Sequence, residues 1–297
     1  MEFSHQWLLI IIIFMYGFRA LTSIAMAVDL YSLVYKGCAN GTIGGGSTAQ
    51  QAIAAVATAL IAQSTTSKFY KTTTTSTAGQ AFSGRFQCRG DLSPSDCSTC
   101  VSKLTPMWGS LCGSSIVAAA RVQLTGCYAL YEIAGFPQVA ATELLFKTCG
   151  STGGGTGFEE KRSTALSSLQ SGLSASGGAG FYATSYESVY AMAQCEGDLS
   201  PADCGSCVTA AMEKVEVECG GAASGQVYLN KCYISYSYYP DGVPRGAGAG
   251  AGAGEGDLGG KERGKTVAIV VGGIAGFGFL VTCLLFARSL RKGKDDH

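Results

Sequence analysis

Histidine is nearly absent from these 297 residues: His5 and His297 stand at the two extremes, and nothing between them carries an imidazole. Ser-His-Asp and Cys-His catalysis, and every histidine metal site, are thereby excluded from any folded domain in between. Charge is scarce as well. Only 14% of residues are charged, and 21 basic side chains are matched by 21 acidic ones. A chain with no net charge lacks the basic face that nucleic acid requires. Low charge with a mean hydropathy of +0.22 directs attention to membrane segments. No nucleophile sits in a known catalytic motif, so no enzyme, cofactor or metal is expected.

Two apolar runs differ in kind. Leu8 to Phe18 is eleven residues long, interrupted only by Gly17. It is too short to span a bilayer and suits a secretory signal, residues 1–27, with Ala25 and Ala27 at the small positions before a cut at Val28. The segment before the run carries no Lys or Arg, and Arg19 follows it, so the cut can fall a few residues earlier. Thr266 to Ala287 holds 22 uncharged residues and reaches ~33 Å as a helix, enough for the hydrocarbon core. With a cleaved signal this predicts a type I single-pass protein, leaving only 288–297 as a cytoplasmic tail. Ten residues hold no enzyme, so output requires partners recruited laterally. Within the span, Gly272 and Gly276 form a GxxxG, a candidate helix-dimer face. Cys283 is a candidate for palmitoylation, with an inert buried thiol as the alternative. Residues 244–265 are a Gly/Ala-rich stalk with nothing to pack.

Twelve cysteines lie outside the span, in two sets of six: Cys38, Cys88, Cys97, Cys100, Cys112 and Cys127, then Cys149, Cys195, Cys204, Cys207, Cys219 and Cys232. Both contain C-x8-C-x2-C-x11-C, and CRGDLSPSDCSTCV matches CEGDLSPADCGSCV at ten of fourteen positions. The region is therefore a tandem duplication, 28–136 and 141–243. In an oxidising compartment the cysteines read as structural disulfides, rather than as redox CxxC or zinc sites. Each copy reads as α+β. Ser47 is placed to cap a helix with apolar residues at Ile53, Val56, Ala57, Leu60 and Ile61. Ala165, Leu166, Leu169 and Leu173 form the second copy's counterpart. Ser93 and Ser200 precede Pro94 and Pro201 as N-caps, with Asp96 and Asp203 at the third helical position. Cys97 and Cys100 then share a helix face. ARVQLTGCYALYEI and GQVYLNKCYISYSYY read as strands, as do the aromatic stretches before Cys88 and Cys195. Arg89-Gly90-Asp91 spells an adhesion tripeptide, but Glu196 replaces Arg89 in the other copy, so it reads as a turn. Spacing alone leaves fifteen pairings of six cysteines open.

The doubled C-x8-C-x2-C, a single span and a short tail without a kinase resemble the plasmodesmata-located proteins, built from two ginkbilobin-homologous domains. The related cysteine-rich receptor-like kinases would need some 300 further residues. The resemblance implies, for each domain, a five-stranded antiparallel sheet packed by two helices. It implies the bridges Cys38–Cys112, Cys88–Cys97, Cys100–Cys127, Cys149–Cys219, Cys195–Cys204 and Cys207–Cys232, and two domains packed side by side. It also implies a mannose site of Asn, Arg and Glu. Arg121 and Glu132 match the last two in the first copy, and the Asn position is Ala39, one before Asn40. The second copy has Gly150, Gln226 and Ser237 there and matches none. Asn40-Gly41-Thr42 is the one N-x-S/T sequon, so Asn40 is a candidate for N-glycosylation. By the same resemblance the protein sits in the plasma membrane at plasmodesmata with its ectodomain in the apoplast. The resemblance further implies that it modulates cell-to-cell movement through callose deposition and functions in defence. Its implied partners are receptor-like kinases, family members as homo- or heterodimers, viral movement proteins and wall carbohydrate, but not nucleic acid. A plasma-membrane wall-sensing co-receptor and a membrane-tethered mannose-binding defence lectin are the alternatives.

Overall fold

The computed structural model describes residues 29–243, apart from 45, 114 and 177–179. The signal segment, the stalk from 244, the Thr266–Ala287 span with Gly272, Gly276 and Cys283, and the tail lie outside the described residues. Among those described, no helix is long and apolar enough to cross a membrane.

The first repeat runs β1 (Leu33–Cys38), α1 (Gly46–Gln63), β2 (Phe69–Thr75), β3 (Ala81–Cys88), α2 (Pro94–Leu104), α3 (Met107–Cys112), β4 (Ala119–Leu124) and β5 (Cys127–Ile133). The second runs β6 (Leu144–Cys149), α4 (Phe158–Ala175), β7 (Phe181–Tyr186), β8 (Val189–Cys195), α5 (Pro201–Cys219), β9 (Ser224–Leu229) and β10 (Cys232–Tyr238). Each forms one antiparallel sheet, ordered β1-β4-β5-β3-β2 and β6-β9-β10-β8-β7. The repeats are thus the same fold twice, α+β.

Helical periodicity explains α1. Ala49, Ala52, Val56 and Leu60 form its buried stripe at spacings of three and four. The stripe lies against β3 where Gly84 leaves room: a Cβ there would come within 2.2 Å of Val56 Cγ1. The helix begins at Gly46, so Ser47 falls inside its first turn rather than at the cap. The other two caps form as the signature dictates. The Ser93 and Ser200 hydroxyl oxygens accept from the backbone N–H of Asp96 and Asp203, each at 3.1 Å.

The count of two helices holds in the second repeat and fails in the first. There α2 stops at Leu104 and α3 restarts after Pro106. Proline lacks the N–H that a continuous helix needs and its ring clashes with the preceding turn. No proline interrupts α5, which continues for 19 residues.

The cysteines fasten helix to sheet. Cys97 and Cys100 on α2 bridge Cys88 on β3 and Cys127 on β5, residues that face each other across those paired strands. Cys204 and Cys207 bridge Cys195 and Cys232 in the same way. Cys38–Cys112 and Cys149–Cys219 tie β1 and β6 to the ends of α3 and α5. Strand alternation sends Phe82, Phe86, Val122, Ala129 and Tyr131 into the first core and Val189, Ala191, Val227, Ile234 and Tyr236 into the second. The residues between them point to the opposite, helix-free face of each sheet, and the functional geometry lies on those faces.

Candidate functional site

The helix-free faces cover one another through contacts that nearly repeat under exchange of the two domains. The Gly197 N–H donates to Gln87 Oε1 and the Gly90 N–H to Gln194 Oε1, both at 2.8 Å. The ring of Phe69 lies over Gly197 and that of Phe181 over Gly90, so close that an added Cβ would meet them at 2.6 and 2.5 Å. Tyr35 on β1 stacks on Phe146 on β6, with ring centres 5.2 Å apart. Tyr228 packs beside both Tyr35 and Tyr233.

Charge breaks this pattern at one pair of equivalent positions. Arg89 turns back onto its own Asp91 in a two-pronged ion pair at 2.7 and 2.9 Å; the tripeptide is a closed turn inside the contact. Glu196, its counterpart, is buried and reaches across. It accepts from the Tyr128 hydroxyl at 2.5 Å, pairs with Arg85 Nε at 2.9 Å and binds Lys231 of its own repeat. Asp198 beside it takes Lys71 of the first repeat and Lys231, each at 3.3 Å. Residues 29–136 hold seven basic and four acidic side chains, whereas 137–243 hold five and eleven. Opposite net charges on the two repeats favour this docking.

Burial sets the protonation here. It pushes the Tyr128 hydroxyl well up, and the neighbouring Glu196 charge adds to that. Tyr233 and Tyr228 are raised mainly by burial, and Tyr190 is pushed up to about 12 by the same cause. Burial opposes the Arg85 charge, but Glu196, Tyr128 and Glu132 more than offset it. Burial also opposes the Asp198 charge, yet Lys231 and Lys71 hold its carboxyl below the usual range. The tyrosines are neutral and the arginine charged across the physiological range, an arrangement for rigid docking.

Beside this contact lies a cleft of about 290 Å³ over β1, β4 and β5, closed by Phe136–Val139, Leu145 and Asn230. Arg121 and Glu132 both line it, and Ala39 stands at its lip. They do not pair with each other. Arg121 faces Leu130 across the strands, and Glu132 faces Ala119. Arg121 lies over the Tyr128 ring, 4.2 Å from its centre, and donates to the Asn230 carbonyl at 3.2 Å. Glu132 is 3.5 Å from Arg85 and accepts from Gln138 at 3.3 Å. Asn40 is exposed in the bend after β1. In the second repeat, Gly150 is pressed against Ser224 and Gln226 accepts from the Tyr228 hydroxyl at 2.8 Å. The aromatic strand β10 divides its rings: Tyr236 is core and donates to the Ala222 carbonyl at 2.9 Å, while Tyr233 lies in the domain contact.

Sequence reasoning did not find the cross-domain group Arg85, Gln87, Tyr128, Gln194, Glu196 and Asp198. Two signals for it were present: a glutamine precedes the cysteine that opens each signature, and Arg89 is exchanged for Glu196 in otherwise matching text.

The family profile described as salt stress response/antifungal matches residues 37–134 and 148–239. Plasmodesmata-located protein 2 of Arabidopsis thaliana is 52% identical over 277 residues, covering 89% of each chain. The chain belongs to the plasmodesmata-located protein family. Plasmodesmata-located protein 1 of the same plant is 42% identical over 284 residues, covering 90% of this chain and 91% of its own. The solved tandem ectodomain of the Arabidopsis thaliana cysteine-rich receptor-like protein PDLP8 superposes with a TM-score of 0.63 at 28% identity, over 70% of this chain and 98% of that one. The corresponding ectodomain of PDLP5 gives 0.59 at 26%. Plasmodesmata-located proteins therefore supply both the sequence relatives and the tandem fold.

Proposed function

We propose that the protein is a non-enzymatic type I membrane protein that modulates cell-to-cell traffic at plasmodesmata by recruiting partners and promoting callose deposition. The observation that carries this reading is the pair of domains locked face to face, in a chain that matches plasmodesmata-located relatives along about nine-tenths of its length. Buried ion pairs and close-packed rings make the ectodomain one rigid surface, suited to presenting a binding face toward the wall. The partners recruited through that surface are receptor-like kinases, family members or viral movement proteins.

A fusion labelled at the C-terminus and imaged in leaf epidermis beside a callose stain tests this. Paired puncta across shared walls, coincident with callose, are expected. Even staining around the cell, with a co-purifying kinase, would instead fit a plasma-membrane co-receptor. That second reading draws support from the receptor-like description of the solved relatives. Replacing Thr266–Ala287 by an unrelated span should disperse the puncta if the span carries targeting information.

A further inference from the structure

The chain has two asparagines, and they occupy opposite environments. Asn230 is buried and its amide donates to the Val139 carbonyl at 3.2 Å. Asn40, Gly41 and Thr42 are all exposed, in the bend between β1 and the bridge that pairs Thr42 with Val117. Backbone bonds pin that bend to the sheet: the Ala39 N–H donates to Ala119 and the Ala118 N–H to Gly41, at 2.9 and 3.0 Å. The amide and hydroxyl of the sequon thus stand on an accessible turn, as an acceptor for N-linked sugar must. Gly37, Cys38, Ala39 and Ala119 line the cleft that holds Arg121 and Glu132, and one peptide, ~3.8 Å, separates Asn40 from Ala39. No residue from Gly37 to Ser67 is charged, while Lys36, Arg121 and Glu132 line the cleft itself and offer polar partners to sugar hydroxyls.

We propose that Asn40 carries an N-linked oligosaccharide whose first sugars lie across the lip of the cleft and narrow its mouth. The inference rests on the secretory topology of the proposed function. In the transfer, Asn40 Nδ2 attacks the anomeric carbon of an oligosaccharide carried as a lipid diphosphate. The bond from that carbon to the phosphate oxygen breaks as the Nδ2–carbon bond forms. The lipid diphosphate leaves, and the amide proton passes to a base of the transferase. The carbohydrate nearest Arg121 and Glu132 is then the protein's own glycan.

The test uses full-length protein from plant cells, treated with a peptide N-glycosidase that accepts plant glycans and weighed by mass spectrometry. Wild type should lose one glycan mass and N40Q none. N40Q carrying A247N/A249T places an independent acceptor in the stalk and reports topology separately. A shift in that variant with none in wild type overturns the glycan but leaves the topology standing. No shift in either overturns both. Hydrogen exchange of the full chain reads the covering. The amides of residues 119–121 and of Phe136, Gln138 and Val139 should exchange several-fold more slowly in wild type than in N40Q. Equal rates would overturn the position over the cleft.

Discussion

Removing the Glu196 carboxylate tests the docking argument most directly. Its side chain is 1% exposed, and it meets Arg85, Lys231 and Tyr128. In Glu196→Ala, Arg85 keeps Glu132 at 3.5 Å and the Tyr128 hydroxyl, Lys231 keeps Asp198, and the Tyr128 hydroxyl loses its carboxylate acceptor. Breaking a buried pair from one side costs about 3–5 kcal/mol, and the retained partners place this case near the lower end. At about 2–4 °C per kcal/mol for a chain of this size, the ectodomain should melt about 6–12 °C lower. Related tandem ectodomains have been solved as isolated units, so calorimetry on residues 28–243 is the suitable assay. The double variant Arg85→Met/Glu196→Leu removes both charges and should recover most of the loss, because an apolar pair of similar size avoids an uncompensated buried ion. A fall below 2 °C in the single variant, or an equal fall in the double, would refute the reasoning.

Gly90→Ala and Gly197→Ala drive a methyl into Phe181 and Phe69 and should each cost about 1–3 kcal/mol, read as faster proteolysis within residues 134–143; unchanged cleavage counts against close docking. Ser93→Ala or Ser200→Ala should each cost about 1 kcal/mol in a denaturant titration. Replacing Cys38 and Cys112 by serine opens a separation of 74 residues against 9 for Cys88 and Cys97. Loop entropy gives about 4.5 and 2.7 kcal/mol, so the first pair should lower the urea midpoint further. The pKa values of Tyr128, Tyr190, Tyr228 and Tyr233 are raised by folding. Their stabilisation is complete below the unfolded tyrosine value of about 10 and is lost as pH rises above it, by up to about 1.4 kcal/mol per tyrosine per pH unit. Asp198 is lowered, so its share is present above the unfolded value near 4 and fades as pH falls below it. Melting temperature against pH checks both limbs.

The duplication, the cysteine framework, both serine caps and the strands around Cys127 and Cys232 were legible because each is a local matter: spacing, a capping hydroxyl, alternation over a few residues. Pro106 was passed over in the sequence, and its position just after α2 explains why one helix implied for the first repeat became two. The role of the helix-free faces was not legible. Alternation separates Arg85, Gln87 and Tyr128 from the core, but whether water or another domain meets them is a property of two segments some 110 residues apart. The same limit applies to Arg121 and Glu132. A matching residue type at a matching place predicts proximity to a cleft, while the Asn230 carbonyl and the Arg85 guanidinium that occupy them come from elsewhere in the chain. Sequence by itself determined two copies of one disulfide-stabilised fold. Tertiary structure alone decided that their polar faces close on each other, because burying Glu196 is tolerable only where Arg85, Lys231 and Tyr128 converge on it.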